Sequence, residues 1–495
     1  MGSDPQYAKW PLLPLAQHVF TLTNPYAARP AQEIAAKQLQ EAIAEHKMAP
    51  FYRYLAHPIE GILNTIGETG SASAPVPGKL GRKSSIASGM IATGSAGSSI
   101  SLPWDEALYQ SLVADNEREL EGFQKEEEEA VEKAGDTEVL AARGKRAEFW
   151  ARVGDKEKAI AAYEDVFEKT GVLGAKIDIV LAIIRMGLFY GDKHLVKKQV
   201  ARCKALVESG GDWDRRNRLK AYEGLHLLTI RNYSLAAPLL LDSLSTFTSY
   251  ELCTYSALVV YAVLAGSVSL KRVDFKSKVV DAPEIKAILG DGEDKLLALT
   301  GAISAGPGAD DSDMVVESSS TPTGSKQQQV VNLTTLGTGA DGQPEAEIAI
   351  DFSALAQLVS SLYNGRYRLF FQALARVEEQ FLTQDRYLHE HRGWFIREMR
   401  LRAYQQLLQS YRVVGLESMA EEFGVTVEYL DRDLSKFIAA GRIPCNIDRV
   451  SGVIETNRPD DKNKQYQELV RQGDQLITKL QKYGQAVRLR GSERS

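Results

Sequence analysis

The sequence predicts an all-α protein, built as a solenoid of helical repeats, a winged helix and a long C-terminal helix. Three observations predict this fold. A helix–turn–helix pattern recurs between residues 149 and 244, at a spacing typical of helical repeats. Two helical patterns and a short alternating segment follow near the C-terminus. Apolar residues then recur every seven positions along the last segment.

Length and charge limit the class of protein. A chain of 495 residues exceeds one typical domain, so we expect several folded units. A net charge of −6 gives no overall reason to bind nucleic acid or an anionic membrane. Residues 1–10 lack the features of a secretory signal, and no apolar stretch approaches the roughly 20 residues of a spanning helix. Cys203, Cys253 and Cys445 lie far apart, as in a reducing compartment. We expect a protein of the cytoplasm and nucleus.

Composition divides the chain into seven segments. Residues 67–103 are rich in Gly and Ser, and residues 291–348 contain low-complexity stretches such as GPGADDSD. Both are predicted to be disordered insertions, because they bury too little apolar surface to offset the entropy of ordering. The other segments are predicted as an N-terminal helical segment at 1–66, helical repeats at 104–290, further helices at 349–400, a winged helix at 401–460, and a C-terminal helix with its tail at 461–495.

An acidic run lies at the start of the repeat region. Between Asp115 and Glu138, eleven acidic residues accompany three basic ones. The run has two interpretations, an acidic docking surface or a solvated helix face. The second is favoured because charge runs usually keep a helix soluble.

The repeats share a helix, a tight turn and a second helix with an apolar stripe. The first turn contains Gly154 and is followed by Ala159, Tyr163 and Phe167 at helical spacing. A second turn at Gly191 lies 191−154 = 37 residues later, and a third surrounds residue 232. Such TPR-like pairs bury their faces only by stacking, so they form a solenoid with extended surfaces for partners.

The winged helix is predicted from two helices and a hairpin. The first helix ends at Gly424, and Thr426 caps a second helix that ends at Gly441. The first is expected to bury Leu416, Met419, Ala420 and Phe423. The second is expected to bury Val427, Leu430, Leu434, Phe437 and Ile438. A strand with alternating Ile443, Cys445 and Ile447 then pairs with residues 453–456.

The outer face of the second helix indicates whether the winged helix binds nucleic acid or protein. Its predicted solvent-side residues are Glu428, Asp431, Asp433, Arg432 and Lys436. A helix that reads a DNA groove needs a basic face, so this mixed face favours contact with protein. A nucleic-acid-binding regulator remains the alternative from another class. The candidate interface comprises Arg432 and Lys436 on the helix and Ile443 in the wing strand.

The last segment, residues 462–489, carries two apolar rows with a seven-residue period. One row is Leu469, Leu476 and Tyr483. The other is Tyr466, Gly473, Leu480 and Val487. A sustained heptad needs a partner helix to cover its seam, and the alternative is that the helix folds back on its own chain. Leu469, Leu476, Leu480 and Tyr483 are therefore candidate contact residues.

Motifs for catalysis are missing from the sequence. The His389–His391 stretch is the one candidate metal pair, but residues two apart on a helix point to different sides. Residues 394–402 also lack the Ser and Asp that follow such a pair in metalloprotease-type deubiquitinases. No phosphate-binding loop or nucleophile motif occurs. We expect no enzyme activity, no cofactor and no bound metal.

Helical repeats that lead into a winged helix resemble the PCI architecture of the proteasome lid, the COP9 signalosome and a translation initiation complex. Four longer strings and one short one resemble the family of the seventh non-ATPase subunit of the 26S proteasome regulatory-particle lid. They are Gly210–Lys220, Ser245–Leu252, Phe437–Arg442, Glu455–Asp460 and Met48–Pro50. A signalosome PCI subunit remains the alternative within the architecture, although it does not share these strings.

The resemblance implies a scaffold in ubiquitin-dependent degradation, with no active site of its own. It implies that the winged helix joins those of other PCI subunits of the lid in an arc. It also implies that the C-terminal helix enters a shared bundle. The implied partners further include the lid deubiquitinase pair and the proteasome ATPase ring. We expect no contact with nucleic acid or a membrane.

Overall fold

The computed structural model describes residues 6–59, 61–63, 90, 102–133, 135–290, 351–457 and 461–492. The predicted disordered insertions at 67–103 and 291–348 lie outside the described residues, except for residues 90, 102 and 103. Met90 and Leu102 are both buried in the core. These two side chains therefore do not behave as the solvated residues of a disordered insertion.

The described chain is largely helical, as predicted. The helices before residue 291 are α1 Leu13–Thr23, α2 Arg29–Glu45, α3 Ala49–Ala56, α4 Glu106–Lys133, α5 Asp136–Val153, α6 Lys156–Lys169, α7 Leu173–Tyr190, α8 Lys193–Gly210, α9 Trp213–Thr229, α10 Tyr233–Ser243, α11 Tyr255–Ser269, α12 Arg272–Phe275 and α13 Pro283–Leu289. Those after residue 350 are α14 Ser353–Asn364, α15 Tyr367–Val377, α16 Arg392–Leu408, α17 Leu416–Phe423, α18 Val427–Ala439 and α19 Asp461–Ser492. The strands are β1 Val413–Gly415, β2 Cys445–Asp448 and β3 Val453–Thr456.

The predicted repeat turns are present and follow from local chemistry. Gly154 and Gly191 have φ values of 83° and 71°, a left-handed conformation that glycine adopts without a steric penalty. Asp155 and Asp192 then cap α6 and α8, because each carboxylate accepts a backbone N–H three residues later. Consecutive helices from α5 to α11 pack on one another. This stacking confirms the solenoid.

A buried arginine ties the N-terminal segment to the repeats. Arg185 on α7 is 2% exposed, and it donates to the Trp10 carbonyl at 3.2 and 3.3 Å and to the Tyr222 hydroxyl at 2.7 Å. Helix α1 also packs on α7. The N-terminal helices therefore belong to the same core as the repeats.

The winged helix contains one helix and one strand beyond the prediction. Helix α16 runs across the predicted boundary between residues 400 and 401. Arg402 on this helix donates a hydrogen bond of 2.5 Å to the carbonyl of Leu270, the residue that follows α11. Strand β1 pairs with β3, which also pairs with β2, giving the antiparallel order β1-β3-β2. The short strand β1 was not predicted.

The helices of the winged helix agree with the prediction except at one end. Thr426 accepts the N–H of Tyr429, and Gly424 and Gly441 end their helices with positive φ values. Seven of the predicted core side chains are buried: Leu416, Met419, Ala420, Phe423, Leu430, Leu434 and Phe437. Ile438 is partly buried. Val427 is 39% exposed and was wrongly assigned to the core, because it is the first residue of α18 and lies at its open end.

Candidate protein interface

The C-terminal helix α19 leaves its apolar rows uncovered. Leu469, Leu476, Leu480 and Tyr483 are 67%, 61%, 67% and 71% exposed. Tyr466 and Val487 in the same rows are also exposed. Every candidate residue predicted on this helix is therefore accessible. In this structure the helix does not fold back on its own chain to bury the rows.

A third apolar row was missed by the sequence reasoning. Val470 and Ile477 are 62% and 55% exposed, and each directly follows a residue of the first row. Their seven-residue separation was the signal that could have identified them. Three adjacent rows form a stripe wider than the two-row seam of a coiled coil. The face of α19 therefore suits a groove between several helices.

The basic residues predicted on the winged helix are accessible, whereas one predicted acidic residue is not. Arg432 and Lys436 are exposed and form no ion pair with any described residue. Asp433 is buried, accepts from the Tyr404 hydroxyl at 3.2 Å and lies 3.6 Å from the Arg400 guanidinium. Its assignment to the solvent side was wrong, so the outer face is less acidic than expected.

In the region of the hairpin, one predicted contact residue is buried and other apolar residues are exposed. Ile443 is only 3% exposed, so its side chain is part of the core and is not an available contact. By contrast, Val450 between β2 and β3 is fully exposed. Tyr411, just before β1, and Val413, its first residue, are 57% and 50% exposed. Tyr411 and Val413 were missed because a three-residue strand has too little alternation to detect.

The acidic run is partly neutralised inside the chain. Glu127 on α4 pairs with Arg143 and Arg146 on α5, both at 2.7 Å. Glu126 pairs with Lys145 at 3.0 Å. These contacts hold α4 against α5, so part of the run stabilises the packing of neighbouring helices.

The histidine pair is held by backbone carbonyls. His389 Nδ1 lies 3.0 Å from the Thr383 carbonyl oxygen, and His391 Nε2 lies 2.9 Å from that of Thr229. Among the described residues, no group of three His, Cys, Asp or Glu side chains is placed to hold a metal. The pair therefore has a structural explanation.

A network of charges joins two of the strings that carry the family resemblance. Arg215 binds buried Asp178 through two hydrogen bonds of 2.6 and 2.9 Å. Arg218 pairs with Asp214 and Glu251, both at 2.8 Å. The Thr248 hydroxyl also lies 2.9 Å from Asp214. The strings at 210–220 and 245–252 are therefore tied to each other and to α7.

No helix among the described residues combines the length and apolar character needed to cross a membrane.

Comparison with known proteins identifies the family. Three family models match: "26S proteasome subunit RPN7" over residues 105–278, "PCI domain" over 366–458, and "26S proteasome regulatory subunit RPN7/PSMD6 C-terminal helix" over 465–487. The chain is 36% identical over 480 residues to the 26S proteasome regulatory subunit rpn7 of Schizosaccharomyces pombe, covering 97% of each chain. It is 35% identical over 495 residues to RPN7 of Saccharomyces cerevisiae, covering 99% of this chain and 96% of that one.

The signalosome alternative has much weaker support. COP9 signalosome complex subunit 1 of Arabidopsis thaliana is 25% identical over 120 residues, covering 24% of this chain and 27% of that one. The 26S proteasome non-ATPase regulatory subunit 6 homolog of the same plant is 38% identical over 388 residues, covering 78% and 84%. The chain belongs to the RPN7/PSMD6 family of 26S proteasome regulatory subunits.

Proposed function

We propose that this chain is a non-catalytic scaffold subunit of the regulatory-particle lid of the 26S proteasome. It supports ubiquitin-dependent degradation through contacts with other subunits. The observation that carries the proposal is the uncovered apolar face of α19, within the residues matched by the family's C-terminal helix. Monomeric soluble proteins rarely expose contiguous apolar surface of this kind, whereas surfaces that bind partners often do.

The proposed assembly uses two surfaces of this chain. Helix α19 enters a helical bundle shared with other lid subunits. The winged helix contacts neighbouring PCI subunits through the outer edge of α18, with Arg432 and Lys436, and through the hairpin near Val450. The broader partners in this proposal are the lid deubiquitinase pair and the ATPase ring, in the cytoplasm and nucleus.

The proposal assigns catalysis to another subunit. The described residue pair nearest to a metal motif, His389 and His391, is engaged by backbone carbonyls. The proposal includes no nucleic-acid or membrane contact, because α18 presents a mixed face in which Asp431 pairs with Arg449 at 2.8 Å.

Truncation tests the proposal. A chain that ends at residue 460 lacks α19, and a control chain that ends at Val487 keeps all three apolar rows. We expect the shorter chain to fail to co-purify with lid subunits while keeping the melting temperature of the full chain. Retention of the shorter chain in the lid at the level of the control would contradict the proposed role of α19.

A further inference from the structure

A small recess lies where four distant parts of the chain meet. It lies among α1, the turn between α7 and α8, the end of α9 and residues 386–390, and its volume is about 40 Å³. Its lining includes Phe20, Leu188, Asp192, His226, Arg386 and Glu390. None of these residues belongs to the candidate protein interface.

Two buried polar side chains in the lining lack hydrogen-bond partners. His226 is 4% exposed, and neither ring nitrogen has a partner among the described residues. Arg386 is 8% exposed, and its Nε and Nη1 atoms likewise have none. Its Nη2 atom donates to the carbonyls of Leu188 and Phe189, which fixes the guanidinium beside the recess. Buried donors without partners are uncommon in folded proteins and indicate a missing ligand or water.

The positive charge of Arg386 is only partly compensated: the guanidinium lies over the Tyr387 ring, 4.7 Å from the ring centroid, and Asp385 interacts with it electrostatically. No carboxylate among the described residues forms an ion pair with it. The two carboxylates of the lining are already engaged, because Asp192 pairs with Lys156 at 2.8 Å and Glu390 pairs with Lys193 at 2.6 Å. The Nε and Nη1 groups of this cation still have no acceptor, so an anion with several acceptor oxygens is the complementary ligand.

We propose that this recess binds a compact oxyanion with the size and charge of inorganic phosphate or sulfate, between Arg386 and His226. A buried water needs roughly 10–15 Å³ by the same measure, so the recess has room for the few oxygen atoms of such an anion. The anion accepts hydrogen bonds from both orphaned side chains. It thereby joins α1, the repeats and the segment before α16.

The protonation state of His226 agrees with this role. Burial, together with Lys197 and Lys193, lowers the pKa of His226 to about 4. The imidazole is therefore neutral at pH 7 and offers one N–H donor, which suffices for one hydrogen bond to an anion oxygen.

The test uses the full chain and inorganic phosphate. The melting temperature is measured in increasing phosphate and in sodium chloride of equal ionic strength. We expect a saturable rise in phosphate that chloride does not reproduce. The variant His226→Leu should bind phosphate at least about tenfold more weakly, because a hydrogen bond to a charged group is lost. In chloride alone it should melt no lower than the parent chain, because it removes an unpartnered buried polar group.

A surface variant controls for general charge effects. Lys198 is exposed on α8 and does not line the recess, so Lys198→Gln should respond to phosphate as the parent chain does. Equal responses to phosphate and chloride would show that water fills the recess and would overturn the proposal. A His226→Leu variant that responds like the parent chain would place the anion elsewhere, with the same consequence. The test does not depend on assembly into the lid.

Discussion

The double variant Leu476→Asp and Leu480→Asp separates two explanations of the C-terminal helix. In the isolated chain both leucines are already about two-thirds exposed. Charging them therefore removes little folded-state burial, and the free energy of unfolding should change by less than about 0.5 kcal/mol, as for ordinary surface substitutions. If partners cover the helix, the same change should release the subunit from its complex.

The expected loss of affinity follows from the uncovered area. Full burial of a leucine side chain contributes about 1.5–3 kcal/mol. Since about two-thirds of each leucine remains to be covered, the pair contributes about 2–4 kcal/mol to docking. This corresponds to an affinity loss of about 30- to 1000-fold, before the cost of burying a carboxylate is added.

The assay measures binding of the purified chain to lid lacking this subunit, alongside thermal unfolding of the chain alone. The matched control is Thr478→Asp with Gln485→Asp, which adds the same charge to exposed positions on the opposite side of the helix. We expect the control to bind like the parent chain. Strong destabilisation of the isolated double variant would refute the reasoning, because the helix would then pack on its own chain.

Three further predictions concern the winged helix, the repeats and the recess. Reversing charge with Arg432→Glu and Lys436→Glu should weaken lid assembly, more at low salt, without lowering the melting temperature. Arg215→Ala should lower the free energy of unfolding by about 3–5 kcal/mol in denaturant titration, because Asp178 is left buried without its partner. Since the folded-state pKa of His226 is about 4, below its ordinary value of 6.5, the unfolded state binds the proton first. The contribution of neutral His226 to the free energy of unfolding is therefore fully present above pH 6.5. It falls by up to about 1.4 kcal/mol for each pH unit between pH 6.5 and pH 4. The variant His226→Leu should remove this pH dependence.

Each of these predictions has an outcome that would contradict it, and the Arg215 variant also has a matched control. Arg216 is the exposed neighbour of Arg215, and Arg216→Ala should change the free energy of unfolding by less than about 0.5 kcal/mol. Equal effects of the two alanine variants would disprove the role assigned to the Asp178 pair. Unchanged assembly after charge reversal would exclude the outer edge of α18 as an interface. A pH profile that His226→Leu does not flatten would show that other groups set the acid sensitivity.

The sequence predicts those parts of the fold that depend on local periodicity and capping. Gly154 with Asp155, and Gly191 with Asp192, mark two repeat turns because positive φ and side-chain capping are local properties. The second helix of the winged helix is similarly bounded by its Thr426 cap. The apolar rows of α19 are predictable because a seven-residue repeat lies within one helix.

The remaining features depend on contacts between distant residues. The spacing of Asp433 along α18 predicts a surface position. It is buried instead because Tyr404 and Arg400 on α16 pack against it. Ile443 reads as part of an exposed wing, yet tertiary packing buries it. The Arg386 and His226 recess combines residues 160 positions apart, and no periodic pattern can relate such residues.

Affinity purification from native extract tests the central claim most directly. The tagged full-length chain is captured under low-salt conditions, and its partners are identified by mass spectrometry. Lid subunits and proteasome ATPases should co-purify with it in stoichiometric amounts. Capture of signalosome subunits in their place would contradict the assignment to the proteasome lid.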